Sequence, residues 1–155
     1  MARSYMIAFD NIAVSAAQDL FEILPADDKP VKLIEAHASA VDSETAETLR
    51  FQVLRMNATV TSGSGGAAVT PVPTDVADTA FGGTVERNNT TLATTSGTTY
   101  TMASEGADVR AGWHYVASPG REPKAIQGEG LFIRLPTAPG SATNMSGWAV
   151  IEEGI

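Results

Sequence analysis

The apolar positions of this chain fall in short alternations rather than helical stripes. Leu49, Phe51 and Val53 alternate with Arg50, Gln52 and Leu54. Period two with one polar face predicts a half-buried antiparallel strand over 49–56, with 58–61 as an extension. Short apolar runs predict further strands over 5–9, over 18–24 up to Pro25, and over 31–38. Ile12 and Val14 continue the first of these beyond Asp10-Asn11, a turn-like pair. In the run 31–38, Val31, Leu33, Glu35 and His37 fall on one side. The last third reads the same way over 109–116, over 130–135 up to Pro136, and over 145–153. Turns are marked by the Pro-bounded segment 25–30 and by Ser118-Pro119-Gly120-Arg121-Glu122-Pro123. The acidic segment 42–47 reads as a loop leading into a strand. The best helix candidate is 16–24, but no helical periodicity is sustained anywhere.

Between 59 and 101 the pattern thins. Thirteen of these 43 residues are Thr, and the large apolar residues are Val60, Val69, Val72, Val76, Phe81, Val85, Leu92 and Tyr100. Ser62-Gly63-Ser64-Gly65-Gly66 reads as a flexible loop. Pro71 and Pro73 keep their neighbours extended. Strands are expected near 84–87 and 98–103. The stretch is too poor in apolar residues to fold alone, so 59–101 is expected to be a Thr-rich loop or arm excursion lying on another surface. Seven or eight strands separated by turn signals, with no repeat, predict an all-β fold. The expected architecture is a single-domain antiparallel β-sandwich or barrel, jelly-roll-like, over 1–155.

Composition narrows the chemistry. The 155 residues give one domain with room for a core. Eighteen acidic against ten basic residues leave a net charge of −8. That argues against nucleic acid or an anionic membrane as partner, since both need a basic surface. Cys is absent, which removes disulfides, thiolate catalysis and Cys-ligated metals. No signal-peptide pattern, membrane-length apolar run or lipidation motif is seen, so a soluble protein made in a cytoplasm is expected. His37 and His114, the two histidines, are nearly eighty residues apart, and nothing in the spacing joins them in a metal site. No Gly-x-Ser-x-Gly elbow occurs, and Asp27-Asp28 and Glu152-Glu153 read as solvated ends. The glycine loop lacks the Lys of a phosphate-binding loop. Trp113, Tyr115 and Trp148 read as core residues first, with a sugar-stacking platform as the alternative. Seven of the ten basic residues are Arg, which suits planar ion pairs at protein contacts. No catalytic residue, metal or cofactor is expected.

The segment from Phe9-Asp10-Asn11-Ile12 through Gln18-Asp19-Leu20-Phe21-Glu22-Ile23 to Pro25-Ala26-Asp27-Asp28-Lys29-Pro30 resembles a family of small proteins of tailed bacteriophages and prophages. Glu47-Thr48-Leu49-Arg50-Phe51-Gln52-Val53, Thr61 to Gly66, Pro71 to Asp75, Asn88-Asn89-Thr90-Thr91, Val109-Arg110-Ala111-Gly112-Trp113, Ser146-Gly147 and Glu152-Glu153 carry the likeness over nearly the whole chain. The resemblance implies a virion component. The expected role is a capsid decoration (cement) protein, made in the host cytoplasm and located on the capsid surface. Its expected partners are the major capsid protein and itself, as a homotrimer. A tail- or fibre-associated module binding host glycan is the alternative. Trp113, Tyr115, Arg121 and Phe81 are the candidate protein-interface residues.

Overall fold

The computed structural model describes residues 1–42 and 45–154, and every regular element in them is a strand. In chain order these are β1 (Arg3–Val14), β2 (Gln18–Leu24), β3 (Val31–Ala40), β4 (Thr48–Met56), β5 (Val60–Thr61), β6 (Ala67–Val69) and β7 (Val72–Pro73). They continue as β8 (Thr84–Asn89), β9 (Thr94–Thr95), β10 (Thr99–Asp108), β11 (Trp113–Val116), β12 (Lys124–Ala125), β13 (Gly130–Leu135) and β14 (Thr143–Glu153). The first sheet runs β11-β3-β14-β1-β7, with β12 also paired to β3. The second runs β10-β4-β13-β2-β8-β6. All pairings are antiparallel.

The eight principal strands give the orders β1-β14-β3-β11 and β2-β13-β4-β10, and the chain crosses between the sheets at nearly every step. This is the connectivity of a jelly-roll sandwich, as the sequence pattern predicts. Tyr5, Ile7, Leu33, Ala149 and Ile151 from one sheet meet Phe21, Ile23, Phe51, Val53, Leu131 and Ile133 from the other in one buried core. Burying each large side chain contributes roughly 1.5–3 kcal/mol.

The strand expected over 18–24 forms as β2, not the helix that is the alternative there, and two other local expectations are corrected. Both faces of β2 are buried, so its sequence shows neither alternation nor a helical stripe. Asp10-Asn11 is no turn: the pairing of β1 with β14 slips by one residue between Phe9 and Ile12, and Asn11 takes a left-handed φ of 52°. A second bulge, at Ile34, separates Leu33↔Ile151 from Glu35↔Val150. An extra residue reverses the facing of everything beyond it. Val31 and Leu33 therefore enter the core, whereas Glu35 and His37 emerge on the outer face.

The start of the predicted strand 109–116 also differs. Gly112 N–H donates to the Asp108 carbonyl (2.9 Å), closing a turn before β11. The residues upstream form β10, longer than the pattern suggested. It is an edge strand, mostly exposed, and its Thr, Ser and Gly carry little hydrophobic signal.

The excursion 59–101 folds back on its own domain. β6 and β8 extend the second sheet beyond β2, and β7 extends the first beyond β1. The paired β5 and β9 segments lie on the outer face of the second sheet. There Leu54, Met56, Phe132 and Ala93 make a small second core, with Leu24 and Val60 packed against it. The loop 62–66 is pinned rather than free. Gly63 N–H donates to Glu22 Oε2 (3.0 Å), Gly66 N–H donates to Asn89 Oδ1 (3.1 Å), and Ser64 pairs with Thr91. A Cβ on Gly66 would collide with the Arg87 carbonyl oxygen, so only glycine permits this approach.

A buried polar network fastens the excursion to the second sheet. Arg134 Nε and Nη2 donate to the two oxygens of Asp19 (2.6 and 3.1 Å), and Nη2 also donates to the Ala93 carbonyl (3.1 Å). Ala93 N–H donates to Asp19 Oδ2 (2.9 Å). Asn89 Nδ2 donates to Glu22 Oε2 (3.1 Å) and Glu86 Oε2 (2.6 Å). On the first sheet, Gly82 N–H donates to Glu153 Oε1 (2.7 Å) and the Tyr5 hydroxyl donates to the Thr79 carbonyl (2.9 Å). Asp19, Glu22 and Glu153 are buried carboxylates, and each accepts a backbone N–H of the excursion, from Ala93, Gly63 and Gly82 in turn.

Candidate functional site

The two outer faces of the sandwich are unlike. That of the second sheet is roofed by the excursion. That of the first sheet is open, and cross-strand register sets its side chains in rows. One row runs Ala8, Trp148, His37, His114 across four strands. The next runs Val72, Met6, Val150, Glu35, Val116 across five. Val72 and Val116 are 61% and 59% exposed, and Met6 38%. Isolated exposed apolar residues are ordinary, but a contiguous set on one rigid face marks an interaction surface.

The aromatic row is ordered by stacking. The Trp148 indole and His37 imidazole are parallel, with centroids 5.8 Å apart and 6° between planes. His114 tilts against both, at 6.0 Å from His37 and 6.1 Å from Trp148. His114 Nε2 lies 2.6 Å from Glu35 Oε1. The strand pairing thus joins the two histidines that their spacing left apart. The signal missing from the sequence is the register His37↔His114, which only the folded β3–β11 pair supplies. Among the described residues no three acidic or histidine side chains are placed to hold a metal ion.

The four candidate interface residues do not share one surface. Trp113 is 2% exposed and enters the core, stacked on Phe51 (5.3 Å, 6°) with its Nε1 donating to Glu105 Oε2 (3.1 Å). Tyr115 is half-buried beside it, with centroids 6.2 Å apart. Burial, and then the charges of Glu105 and Glu122, hold the Tyr115 hydroxyl above its ordinary pKa. Phe81 packs edge-on against Tyr5 (5.3 Å, 70°), on β1 near the other edge of the first sheet. Arg121 is exposed in the turn 118–121, where its N–H donates to the Ser118 carbonyl (2.9 Å). Trp113 and Tyr115 are brought together, but as packing, while Trp148 lies on the opposite side of the same sheet. The three rings form no common platform for a sugar.

His37 carries a pH signature. Partial burial, and next the like charge of a protonated His114, hold its pKa below the ordinary 6.5. Between the lowered folded value and 6.5 the unfolded chain binds more protons, so stability falls as pH drops below about 6.5. Urea unfolding between about pH 7.5 and 5 is expected to show that fall. His37→Gln is expected to flatten it, and an unchanged slope in the variant would refute the assignment.

No family model matches this chain, and no curated protein or solved structure matches it either.

Proposed function

We propose that this chain is a structural binding protein of a tailed-phage virion: a decoration protein that sits on the outer capsid surface and clamps neighbouring major capsid subunits. The observation that carries the reading is the open face of the first sheet. It is a rigid surface of Trp148, Met6, Val150, Val72 and Val116, mounted on a sandwich whose other face is already roofed. Such a surface is built to bind rather than to catalyse. A net charge of −8 is compatible with a position outside a shell that holds packaged DNA. The assembly read from the resemblance is a homotrimer.

The test is copy number. Quantitative mass spectrometry of purified virions of the encoding phage is expected to find the protein in hundreds of copies. Purified protein added to expanded capsids is expected to saturate them at a fixed ratio to the major capsid protein. Absence from virions, or a handful of copies per particle, would overturn the reading.

A further inference from the structure

We propose that the open outer face of the first sheet is where a second copy of this chain packs. This replaces the homotrimer of the reading above with a face-to-face pair, because one face packed on its own copy closes at two. It leaves the capsid contact to the rest of the surface, and it can fail without the capsid role failing. Three observations select a second copy as the occupant.

The first is chemistry. The centre of the face is Trp148, Met6 and Val150, with Ala8 and Val72 on one side and His37, Glu35, His114 and Val116 on the other. Interfaces between copies of one chain are the more apolar class, enriched in Trp and Met at their centre. The second is size. The five strands hold 2, 12, 11, 10 and 4 residues. At about 3.4 Å rise and about 4.8 Å spacing they cover roughly 640 Å². Two such faces remove roughly 1,300 Å², within the range of a specific interface.

The third is charge. A chain of net −8 repels its own copies over most of its surface. The charged residues projecting from the strands of this face are Lys32 and Lys124 against Asp10, Glu35 and Glu152. That is a formal −1, and Glu35 already sits against His114. Asp10 accepts from Ser146 Oγ (2.6 Å) at one end of the face. The two lysines stand beside Glu152 at the other. A copy approaching here meets near-neutral charge and an apolar centre.

The test is solution mass by size-exclusion chromatography with light scattering at high micromolar protein. The wild type is expected at twice 16.1 kDa, and three times that mass would overturn the face-to-face pair. Trp148→Glu is expected to return a single-copy mass with an unchanged circular dichroism spectrum. Val116→Glu, at a more exposed position of the same face, gives the same result if Trp148→Glu does not fold. Val76→Glu, on the fully exposed part of the excursion, is expected to leave the oligomer intact. A wild type that stays at 16.1 kDa overturns the proposal, as does an oligomer whose mass survives both face variants. A monomer whose capsid binding is lost in Trp148→Glu would assign the face to the capsid protein instead, overturning the self-association while leaving the virion role standing.

Discussion

Arg134→Ala is expected to destabilise the protein by about 3–5 kcal/mol, because it strands a buried carboxylate. Asp19 is fully buried, and the Arg134 side chain is 13% exposed. The guanidinium grips both carboxylate oxygens and reaches the Ala93 carbonyl with the same nitrogen. Asp19 in turn accepts the Ala93 N–H. Removing the Arg leaves one charge and one carbonyl with too few partners in a low-dielectric setting. Asp19→Asn, which cannot neutralise the guanidinium, is expected to cost a comparable amount. The double change Arg134→Met with Asp19→Leu is expected to cost less than the sum of the single changes, because no unpaired charge is left behind. Guanidinium chloride unfolding at fixed protein concentration measures all three. A cost under about 1 kcal/mol for Arg134→Ala would mean that the pair behaves like a surface ion pair. Because the pair also clamps Ala93, the variants are expected to expose the excursion to protease before the sandwich unfolds.

Trp113→Ala is expected to cost about 3–5 kcal/mol, while Trp148→Ala costs the fold at least about 2 kcal/mol less. The two tryptophans belong to the same sheet and differ in facing. Trp113 fills the space between Phe51 and Tyr115 and supplies the N–H that Glu105 accepts. Its loss opens a large cavity beside Phe51 and removes the donor to Glu105. Trp148 is half-buried on the outer face, where its removal exposes His37 to water but opens no void. Far-UV circular dichroism is the appropriate probe of unfolding, since each variant also loses a fluorophore. Equal costs for the two changes would contradict the facing of β14 and β11.

The fold was largely legible because most strands bury one face. The alternation at 49–53 and the strand expected over 145–153 map directly onto β4 and β14, whose inward residues are buried in step. Where legibility failed, a definite physical cause appears. The bulge at Ile34 put Glu35 and His37 on the side opposite to their apparent set. The edge position of β10 leaves it without an apolar pattern to read. The glycines of 62–66 looked like slack and instead allow close backbone contact with Thr91 and Arg87. The outer-face row was not legible at all. Its members come from four strands, and a linear sequence carries no record of which strands become neighbours. Asp19 and Glu22 were hidden for another reason: three apart, they share a side only through the bulge between Phe21 and Asp19, and a linear run does not show that the excursion covers them.

The central place of β14 bears on how the chain reaches its native state. Its two neighbours in the sheet are β1 and β3, and its register ties Arg3 to Glu153. A ribosome adds roughly 5–20 residues each second, so β1 waits on the order of 10 s for the strand that completes it. Until then Tyr5, Ile7, Leu33 and the rest of that inner face have no lasting cover. Nascent chains halted before residue 143 are therefore expected to carry a half-built sheet with this inner face uncovered, because β1 and β3 still lack the strand between them.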